Sequence, residues 1–382
     1  MDPDAVTPFT IDVPETELDD LRRRLEQARW APEAPDADWV RGVPTSYLRE
    51  LAEHWLHAYD WRTHEARLNQ MAQFTTTVDG QPLHLVHVRS PEPDALPLVL
   101  THGWPGSVAE FVDVIGPLTD PRAHGGDPAD AFHVVAPSIP GFAFSTPVTE
   151  PGWNVDRIAR TFAALMARLG YERYAAQGGD WGSHISRQLG VVDPEHVVGV
   201  HLNMMMNRPS RDDDLPGGLT DDEQRRVDGL DEFVRDGQGY QGIQSTRPQT
   251  LAHGLTDSPV GQLAWIVEKF RAWTDNEGTP ESAVDRDHML TNVCLYWFTR
   301  TAGSSAEIYY EQNHPSVQLQ DSTTPTAMAV FPHDIALPVR RVAEQHNRIV
   351  RWTELDRGGH FAAMEEPDLL VGDVRAAFRE LR

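Results

Sequence analysis

The sequence predicts an α/β fold in which helices cover both faces of a mostly parallel sheet. Short apolar runs alternate with helical patterns after residue 90, whereas between about residues 205 and 321 the strand pattern stops and helical runs continue. Parallel strands need long crossover connections, which helices usually provide on the faces of the sheet. We therefore divide the chain into an N-terminal helical arm (1–90), a first core segment (91–204), a helical lid (205–321) and a second core segment (322–382).

The arm is predicted to be helical and to wrap on another surface. Leu18, Leu21 and Leu25 recur at helical spacing, and Tyr47–Leu56 repeats that spacing of apolar residues. Several Trp and Pro residues lie among these patterns, which favours an embracing segment over an independent domain. Near the end of the arm, the turn pair Asp79-Gly80 separates two strand-like runs and indicates a hairpin.

The predicted strands are short apolar runs bounded by turn residues. They are Phe74–Val78, Leu83–Val88, Leu96–Leu100, Phe132–Ala136, Tyr174–Gln177, Val197–Leu202, Thr326–Phe331 and Arg348–Leu355. Ile158–Leu169 is predicted to be a core helix, and Gly261–Trp273 and Met289–Thr299 are predicted to be lid helices. A helical insertion that follows a sheet strand is typical of a lid.

A strand-to-helix turn at Gly178–Ser183, with the sequence GGDWGS, is the most informative motif in the chain. Small residues surround Asp180, as a nucleophile elbow requires, because that turn is tight and its central residue is strained. The familiar elbow carries Ser, whereas this one carries Asp. A carboxylate nucleophile forms an alkyl ester by displacement at a saturated carbon. The motif therefore indicates an epoxide or an alkyl halide as the substrate, and not an ester or amide.

His360 and Asp334 are the predicted partners of Asp180, and the three follow the chain order nucleophile, acid, base. His360 lies in a Gly-Gly-His-Phe loop after the last strand, where it would take a proton from the water that attacks the ester. Asp334 follows the preceding strand and would orient the imidazole and stabilise its charged form. Glu354 and Asp356 are nearby alternatives for the acid.

The motif His102–Gly106, with the sequence HGWPG, directly follows a buried strand-like run. We expect it to present the backbone N–H of Trp104, which would form an oxyanion hole together with the N–H of Trp181. Taken alone, the motif is equally typical of a Pro/Gly turn without a catalytic role.

Composition and missing motifs exclude several functions. A net charge of −25 argues against nucleic-acid binding, which needs clustered Lys and Arg. Cys294 is the only cysteine, so neither an intrachain disulfide nor a thiolate metal cluster can form. The acidic N-terminus lacks a following apolar run, and no stretch approaches ~18 apolar residues, so we expect a cytoplasmic protein that does not bind membranes.

No cofactor or metal is expected. Gly237–Gly242 fits the dinucleotide pattern GxGxxG, but no buried strand precedes it and Pro248 soon interrupts any helix, so the context for a nucleotide is absent. The sequence also contains no His-Glu-x-x-His pattern and no cysteine pair, which leaves no indication of a metal site.

Together these motifs resemble the microsomal-type epoxide hydrolases of the α/β-hydrolase superfamily, including their soluble bacterial members. The matching segments are Phe9–Val13, Arg29-Trp30, His102–Ser107, Gly178–Ser183, Gln244–Pro248, Asp257–Gly261 and Gly358–Ala363. The resemblance covers almost the whole chain and implies an α/β-hydrolase fold with an N-terminal arm and a lid. It also implies that Asp180 is the nucleophile, Asp334 the acid and His360 the base. The family's acid is often Glu, and Asp leaves that role intact with a shorter reach.

The family also uses two lid tyrosines, which hydrogen-bond the epoxide oxygen and protonate it as the ring opens. By this resemblance Tyr240 is the first, and Tyr309 is the second, with the adjacent Tyr310 as the alternative. An alkoxide is a poor leaving group without a proton donor. The alternative interpretation of each tyrosine is an aromatic residue that only packs in the lid.

The expected function is that of an epoxide hydrolase, which adds water to an oxirane and gives a vicinal diol through an ester on Asp180. The arm, the large lid and the supply of Trp, Phe and Met for pocket walls predict a bulky apolar or aromatic epoxide as the substrate. The resemblance implies a role in detoxification or in natural-product biosynthesis, for example of enediynes. A haloalkane or haloacid dehalogenase is the alternative, but it would need halide-binding N–H donors in place of paired phenols. A third hypothesis is a catalytically inactive hydrolase fold that serves as a binding module. Such proteins usually lack the nucleophile or the base, whereas this sequence retains both. The sequence leaves open whether the arm mediates a homodimer.

Overall fold

The computed structural model describes residues 5–35, 38–210, 213, 215–314 and 320–382. Residues 1–4 and 36–37 of the predicted arm lie outside this part of the chain. So do residues 211, 212, 214 and 315–319 of the predicted lid.

In the described part of the chain, nine strands form one sheet in the order β1-β2-β3-β5-β4-β6-β7-β8-β9. The strands are β1 (Thr7–Phe9), β2 (Gln73–Val78), β3 (Gln81–Val88), β4 (Leu96–Thr101), β5 (Phe132–Pro137), β6 (Tyr174–Gly178), β7 (Val197–Leu202), β8 (Ser322–Val330) and β9 (Asn347–Glu354). The pairs β5–β4, β4–β6, β6–β7, β7–β8 and β8–β9 are parallel. The pairs β1–β2, β2–β3 and β3–β5 are antiparallel. The prediction of a mostly parallel sheet is confirmed, and β1 is a strand that the sequence did not predict.

The predicted hairpin is confirmed between β2 and β3. Its turn residues Asp79 and Gly80 both have positive φ, 52° and 71°. A two-residue turn with two positive φ angles has a twist that matches the right-handed twist of the flanking strands. The next strands, β4 and β5, are almost entirely buried, as expected for parallel strands covered by helices on both faces.

The helices follow one another in four groups along the described chain. The arm contains α1 (Glu15–Glu26), α2 (Thr45–His57) and α3 (Trp61–Leu68), and the first core segment contains α4 (Val112–Thr119), α5 (Val155–Arg168) and α6 (Trp181–Val192). Between β7 and β8 lie α7 (Asp221–Glu232), α8 (Gly239–Gln244), α9 (Pro248–Asp257), α10 (Pro259–Trp273), α11 (Arg286–Thr299) and α12 (Glu307–Asn313). The last segment contains α13 (Arg340–His346), α14 (Ala362–Glu365) and α15 (Pro367–Phe378). Short 3-10 turns at Val108–Phe111, Pro128–Asp130, Pro280–Ser282 and Ser304–Ala306 connect several of them.

The helical insertion between β7 and β8 coincides with the segment expected to be a lid. The glycine-rich Gly237–Gly242 segment follows a π-helical turn at Phe233–Gly237 and continues into α8. That turn continues directly from α7, whereas a strand precedes the glycine-rich turn of a dinucleotide-binding loop. Among the described residues, no helix is both long enough and apolar enough to cross a membrane.

The arm packs against the helical insertion and shares its core. Leu18, Leu21 and Leu25 of α1 are buried, as their helical spacing predicts. On α2, the indole N–H of Trp55 donates a hydrogen bond to the sulfur of Cys294 on α11, at 3.3 Å. These side chains belong to one apolar cluster that also contains the central strands. The arm is therefore part of the same core, and it packs against α11 through the contact between Trp55 and Cys294.

Candidate active site

Asp180 occupies a strained backbone position between β6 and α6. Its φ is 50° and its ψ is −129°, a region that is costly for any residue with a Cβ. Positions 178 and 182 require glycine because a Cβ at either position would overlap a backbone carbonyl oxygen. A Cβ on Gly178 would lie 2.2 Å from the carbonyl oxygen of Gly182, and a Cβ on Gly182 would lie 2.0 Å from that of Thr101. The GGDWGS motif therefore forms the tight elbow that the sequence predicts.

The HGWPG loop after β4 brings a backbone donor to the Asp180 carboxylate. The N–H of Trp104 donates a hydrogen bond to Oδ1 of Asp180 at 2.7 Å. The peptide bond between Trp104 and Pro105 is cis. Among the described residues, the N–H of Trp181 makes no such bond, but it is the first amide of α6, where the helix dipole favours negative charge.

Hydrogen bonds from both sides hold this loop in place. The buried His102 has Nδ1 at 3.0 Å from the Gly103 carbonyl and accepts a hydrogen bond from the Ile139 N–H at Nε2. Burial lowers the pKa of His102 to about 4, so the ring is neutral and one tautomer satisfies both contacts. From α11, the Asn292 amide donates to the Pro105 carbonyl at 2.7 Å. The α11 residue Tyr296 donates in the same way to the carbonyl of Gly106.

His360 lies between the two predicted carboxylates. Its Nδ1 is 2.6 Å from Oδ1 of Asp334, and its Nε2 is 3.4 Å from Oδ2 of Asp180. Burial acts to lower the pKa of His360, but the charge of Asp334, with the hydrogen bonds to Asp180 and Asp334, outweighs it and raises the pKa to about 10. The ring is therefore an imidazolium at neutral pH while Asp180 carries its negative charge.

The position of His360 depends on the end of α10. The His360 N–H donates to the carbonyl of Trp273 at 2.8 Å, and the two rings pack edge to face at 5.0 Å. Gly359 permits this approach, because a Cβ there would lie 2.6 Å from the same carbonyl oxygen. The alternative acids point elsewhere. Glu354 and Asp356 are exposed and pair with Arg226 and Arg357, so the geometry favours Asp334 as the partner of His360.

Tyr240 and Tyr309 line the same site. Tyr240 stacks on Trp104 with 5.0 Å between ring centroids, and Tyr309 packs edge to face against Trp181 at 4.8 Å. The Tyr309 hydroxyl is buried and lies next to the Tyr240 hydroxyl. Burial and the charge of Asp180 raise the pKa of both phenols well above the usual value, so both hydroxyls remain proton donors.

Tyr310, the alternative to Tyr309, points away from this site. It is half-buried and stacks on His314, with 4.3 Å between the ring centroids. The structure thus brings together Asp180, Asp334, His360, Tyr240, Tyr309, Trp104 and Trp181.

Known protein families and individual relatives match this chain over most of its length. Residues 6–111 match the family model described as the epoxide hydrolase N terminus, and residues 97–367 match that of the alpha/beta hydrolase fold. A putative epoxide hydrolase of Stigmatella aurantiaca is 48% identical over 380 residues, which covers 99% of this chain and 86% of that protein. The chain belongs to the epoxide hydrolase family.

Other relatives of this epoxide hydrolase span nearly its full length. Epoxide hydrolase 1 of Sus scrofa is 35% identical over 97% of this chain and 88% of its own. The solved structure of the Aspergillus niger epoxide hydrolase superposes with a TM-score of 0.89 at 32% identity, covering 99% of this chain and 97% of that one. The juvenile hormone epoxide hydrolase of Bombyx mori gives a TM-score of 0.88 at 28% identity, with 99% and 95% covered. The expected α/β-hydrolase fold is thereby confirmed.

Three residues at the site of this epoxide hydrolase escaped the sequence analysis. Trp273 contacts the rings of His360 and Tyr240. Lys269, the only lysine of the chain, is buried with its Nζ 4.4 Å from the centroid of the Tyr240 ring. Glu110 lies in the 3-10 turn after the HGWPG loop. The four-residue spacing of Lys269 and Trp273 places both on one face of α10, but no local signal connects any of the three with Asp180.

Replacing Gly182 by Ala is expected to disrupt this site. The new Cβ would lie 2.0 Å from a carbonyl oxygen of β4, so the elbow must move away from the strand that leads to Trp104. Because misplacement by about 1 Å can cost 10²-fold in rate, we expect kcat/KM to fall by about 100-fold or more. Steady-state kinetics on the purified Gly182→Ala protein measure this.

The matched control is Gly242→Ala in α8, where a Cβ would meet nothing within 4 Å. It should keep wild-type kinetics and unfold at equal or slightly higher denaturant concentration, since Gly inside a helix costs roughly 0.5–1 kcal/mol relative to Ala. Wild-type turnover by Gly182→Ala would contradict the steric account of the elbow.

Proposed function

We propose that this epoxide hydrolase opens an oxirane by attack of Asp180 and releases a vicinal diol after hydrolysis of the resulting ester. The observation that carries the proposal is the placement of the Asp180 carboxylate. One of its oxygens accepts the Trp104 N–H at 2.7 Å, and the other lies 3.4 Å from His360. Two buried phenols complete the site, and relatives named as epoxide hydrolases support the reaction class.

In the first half-reaction, Oδ2 of Asp180 attacks a ring carbon and the carbon–oxygen bond of the oxirane breaks. The departing oxygen takes a proton from the hydroxyl of Tyr240 or Tyr309. The products are an alkyl ester on Asp180, a new hydroxyl group and a tyrosinate. A donor is needed because an alkoxide leaves poorly without a proton, and a positioned acid contributes typically about 10²–10⁴-fold.

His360 becomes a base after the ester has formed. In the free enzyme the hydrogen bond to Asp180 and the charge of this residue help to raise the pKa of His360 to about 10. Esterification removes that negative charge, so the pKa of His360 falls and its proton can pass to the tyrosinate. The imidazole is then neutral when a base is required, and Asp334 continues to hold its Nδ1.

In the second half-reaction, water attacks the ester carbonyl carbon of Asp180 while His360 takes a proton. The negative charge develops on Oδ1, where the Trp104 N–H already donates and the Trp181 N–H at the start of α6 adds a favourable dipole. Collapse of this intermediate breaks the bond between the Asp180 carbonyl carbon and the alkyl oxygen, and the departing oxygen takes the second proton of the water, which releases the diol. The Asp180 carboxylate and the His360 imidazolium are regenerated, which closes the cycle with one water consumed.

The walls of the site favour an apolar or aromatic substituent on the epoxide. Trp104, Tyr240 and Trp273 form a contiguous set of rings, with centroid distances of 5.0 to 6.4 Å. Such surfaces bind apolar groups through burial and ring packing. The assignment to detoxification or to natural-product biosynthesis stays a prediction.

The reaction class is tested with a panel of styrene-oxide-like and aliphatic epoxides, together with 1-haloalkanes of similar size. We expect vicinal diols from the epoxides, identified by chiral chromatography, with faster turnover of the aromatic members and no halide release. Asp180→Asn should lose the activity. Halide release from the haloalkanes without diol formation from any epoxide would contradict the proposal and favour a dehalogenase.

The role of the phenols is tested with Tyr240→Phe, Tyr309→Phe and the double variant. Each single change should lower the rate of ring opening by roughly 10- to 100-fold, and the double change should abolish it, because a positioned acid is worth about 10²–10⁴-fold. Single-turnover kinetics with excess enzyme report this step directly. Tyr310→Phe, which removes a hydroxyl outside the site, should behave as wild type. Unchanged ring opening in the double variant would rule out proton donation by these residues.

A further inference from the structure

A small cavity lies against Asp180 and His360 on the side of the HGWPG loop. Its volume is about 20 Å³, and its polar lining includes Glu110, Gln177 and Asn203 besides the two reacting residues. A water molecule needs roughly 10–15 Å³ and two to four polar partners. The cavity therefore has the size and lining of a site for one water next to the ester that Asp180 would form.

Glu110 reaches this cavity because the loop before it contains glycine. A Cβ on Gly106 would lie 1.5 Å from Oε1 of Glu110, so any larger residue there would displace the carboxyl group. In the same loop, a Cβ on Gly103 would lie 2.3 Å from Cβ of Asp180. Glycine at both positions therefore leaves room for the side chains of Glu110 and Asp180 beside the loop.

The environment of Glu110 suits a group that exchanges hydrogen bonds with water. Burial raises its pKa to about 8, with His360 acting to lower it, Asp180 to raise it, and the amides of Gly103 and Ser107 to lower it. The carboxyl group is therefore mostly protonated at neutral pH, and it keeps an acceptor oxygen in either protonation state.

Glu365 provides a contrast close by. Burial raises its pKa to about 7. Its two oxygens accept hydrogen bonds from the backbone N–H groups of Asp275 and Phe361, at 2.8 and 2.9 Å. Glu365 therefore ties two segments of backbone together. Glu110 also accepts hydrogen bonds from backbone amides, those of Gly103 and Ser107, but unlike Glu365 it lines the cavity that contains the nucleophile and the base.

We propose that Glu110 binds the hydrolytic water in this cavity and orients it between His360 and the carbonyl carbon of the Asp180 ester. The proposal rests on the proposed function, because it assigns a residue to the second half-reaction. His360 takes one proton of the water, and Glu110 accepts the hydrogen bond of the other, which leaves a lone pair free to attack the ester. Glu110 does not take part in ring opening.

The test separates the two half-reactions by rapid quenching and intact-protein mass spectrometry with styrene oxide as the probe. Glu110→Leu removes the acceptor at similar volume. We expect ester hydrolysis to slow by about 100-fold, as misplacement of a reactant by 1 Å can cause, and the alkyl-enzyme to accumulate. Ring opening should stay within about threefold of wild type, since the proposal gives Glu110 no part in that step. Glu110→Gln, which keeps a carbonyl acceptor, should restore most of the hydrolysis rate.

Glu110→Asp serves if the Leu variant does not fold. It withdraws the carboxyl group from the cavity by one methylene and should slow hydrolysis by at least about tenfold while sparing ring opening. Glu65→Gln is the control, a buried glutamate of α3 that is not among the residues lining the cavity, and it should show no accumulation of the adduct. Equal slowing of both steps by Glu110→Leu or Glu110→Asp, or no slowing of hydrolysis, would overturn the proposal.

His360→Gln distinguishes failure of this proposal from failure of the proposed function. It should accumulate the alkyl-enzyme whether or not Glu110 binds the water. If His360→Gln accumulates the adduct and the Glu110 variants do not, only the role of Glu110 is wrong. If His360→Gln forms no adduct under conditions in which the wild type makes diol, the covalent route itself is wrong.

Discussion

The backbone conformation of Asp180 is the constraint on which the rest of the site depends. At φ 50° and ψ −129°, this residue projects its carboxylate out of the sheet at the junction of β6 and α6. One oxygen then meets the Trp104 N–H and the other meets His360. The glycines at 178 and 182 allow this approach. Strain in the elbow is thus tolerated because packing on both sides leaves the backbone no alternative.

The surrounding layers can be understood as supports for these contacts. The arm packs on α11 through Trp55 and Cys294, and α11 in turn holds the HGWPG loop through Asn292 and Tyr296. Helix α10 fixes His360 through the carbonyl of its last residue, Trp273. Parts of the chain that are remote in sequence therefore position the donor, the nucleophile and the base. Such preorganisation is what a site needs in order to stabilise charge as it develops.

Much of the fold could be predicted because its signals are local. Apolar runs marked the strands from β2 to β9, and helical spacing marked α1, α2, α5, α10 and α11. Strand β1 was missed because it has only three residues, two of them exposed, and so carries no alternating pattern. The elbow and the His360 loop were predicted from their glycine motifs, and the structure shows that close backbone contacts at these turns leave no room for a Cβ.

The remaining site residues could not be predicted from local pattern. Three acids followed the last strands, and only burial and the 2.6 Å contact separate Asp334 from Glu354 and Asp356. Tyr240 and Tyr309 came from family resemblance, since a tyrosine on a lid helix has no distinguishing spacing. Glu110 sits in a short 3-10 turn and has the appearance of a solvated residue in the sequence. Glu110 and Asp180 come to line the same cavity only when the HGWPG loop folds against both side chains.

The central claim is that Asp180 becomes covalently attached to the substrate, and one isotope measurement tests it most directly. Enzyme in excess over epoxide is allowed a single turnover in water enriched in oxygen-18. Because Asp180 gives one of its own oxygens to the product and takes the replacement from water, the diol should be unlabelled. The peptide that contains Asp180 should gain one heavy oxygen, detectable by mass spectrometry. Label in the diol with none in that peptide would contradict the account.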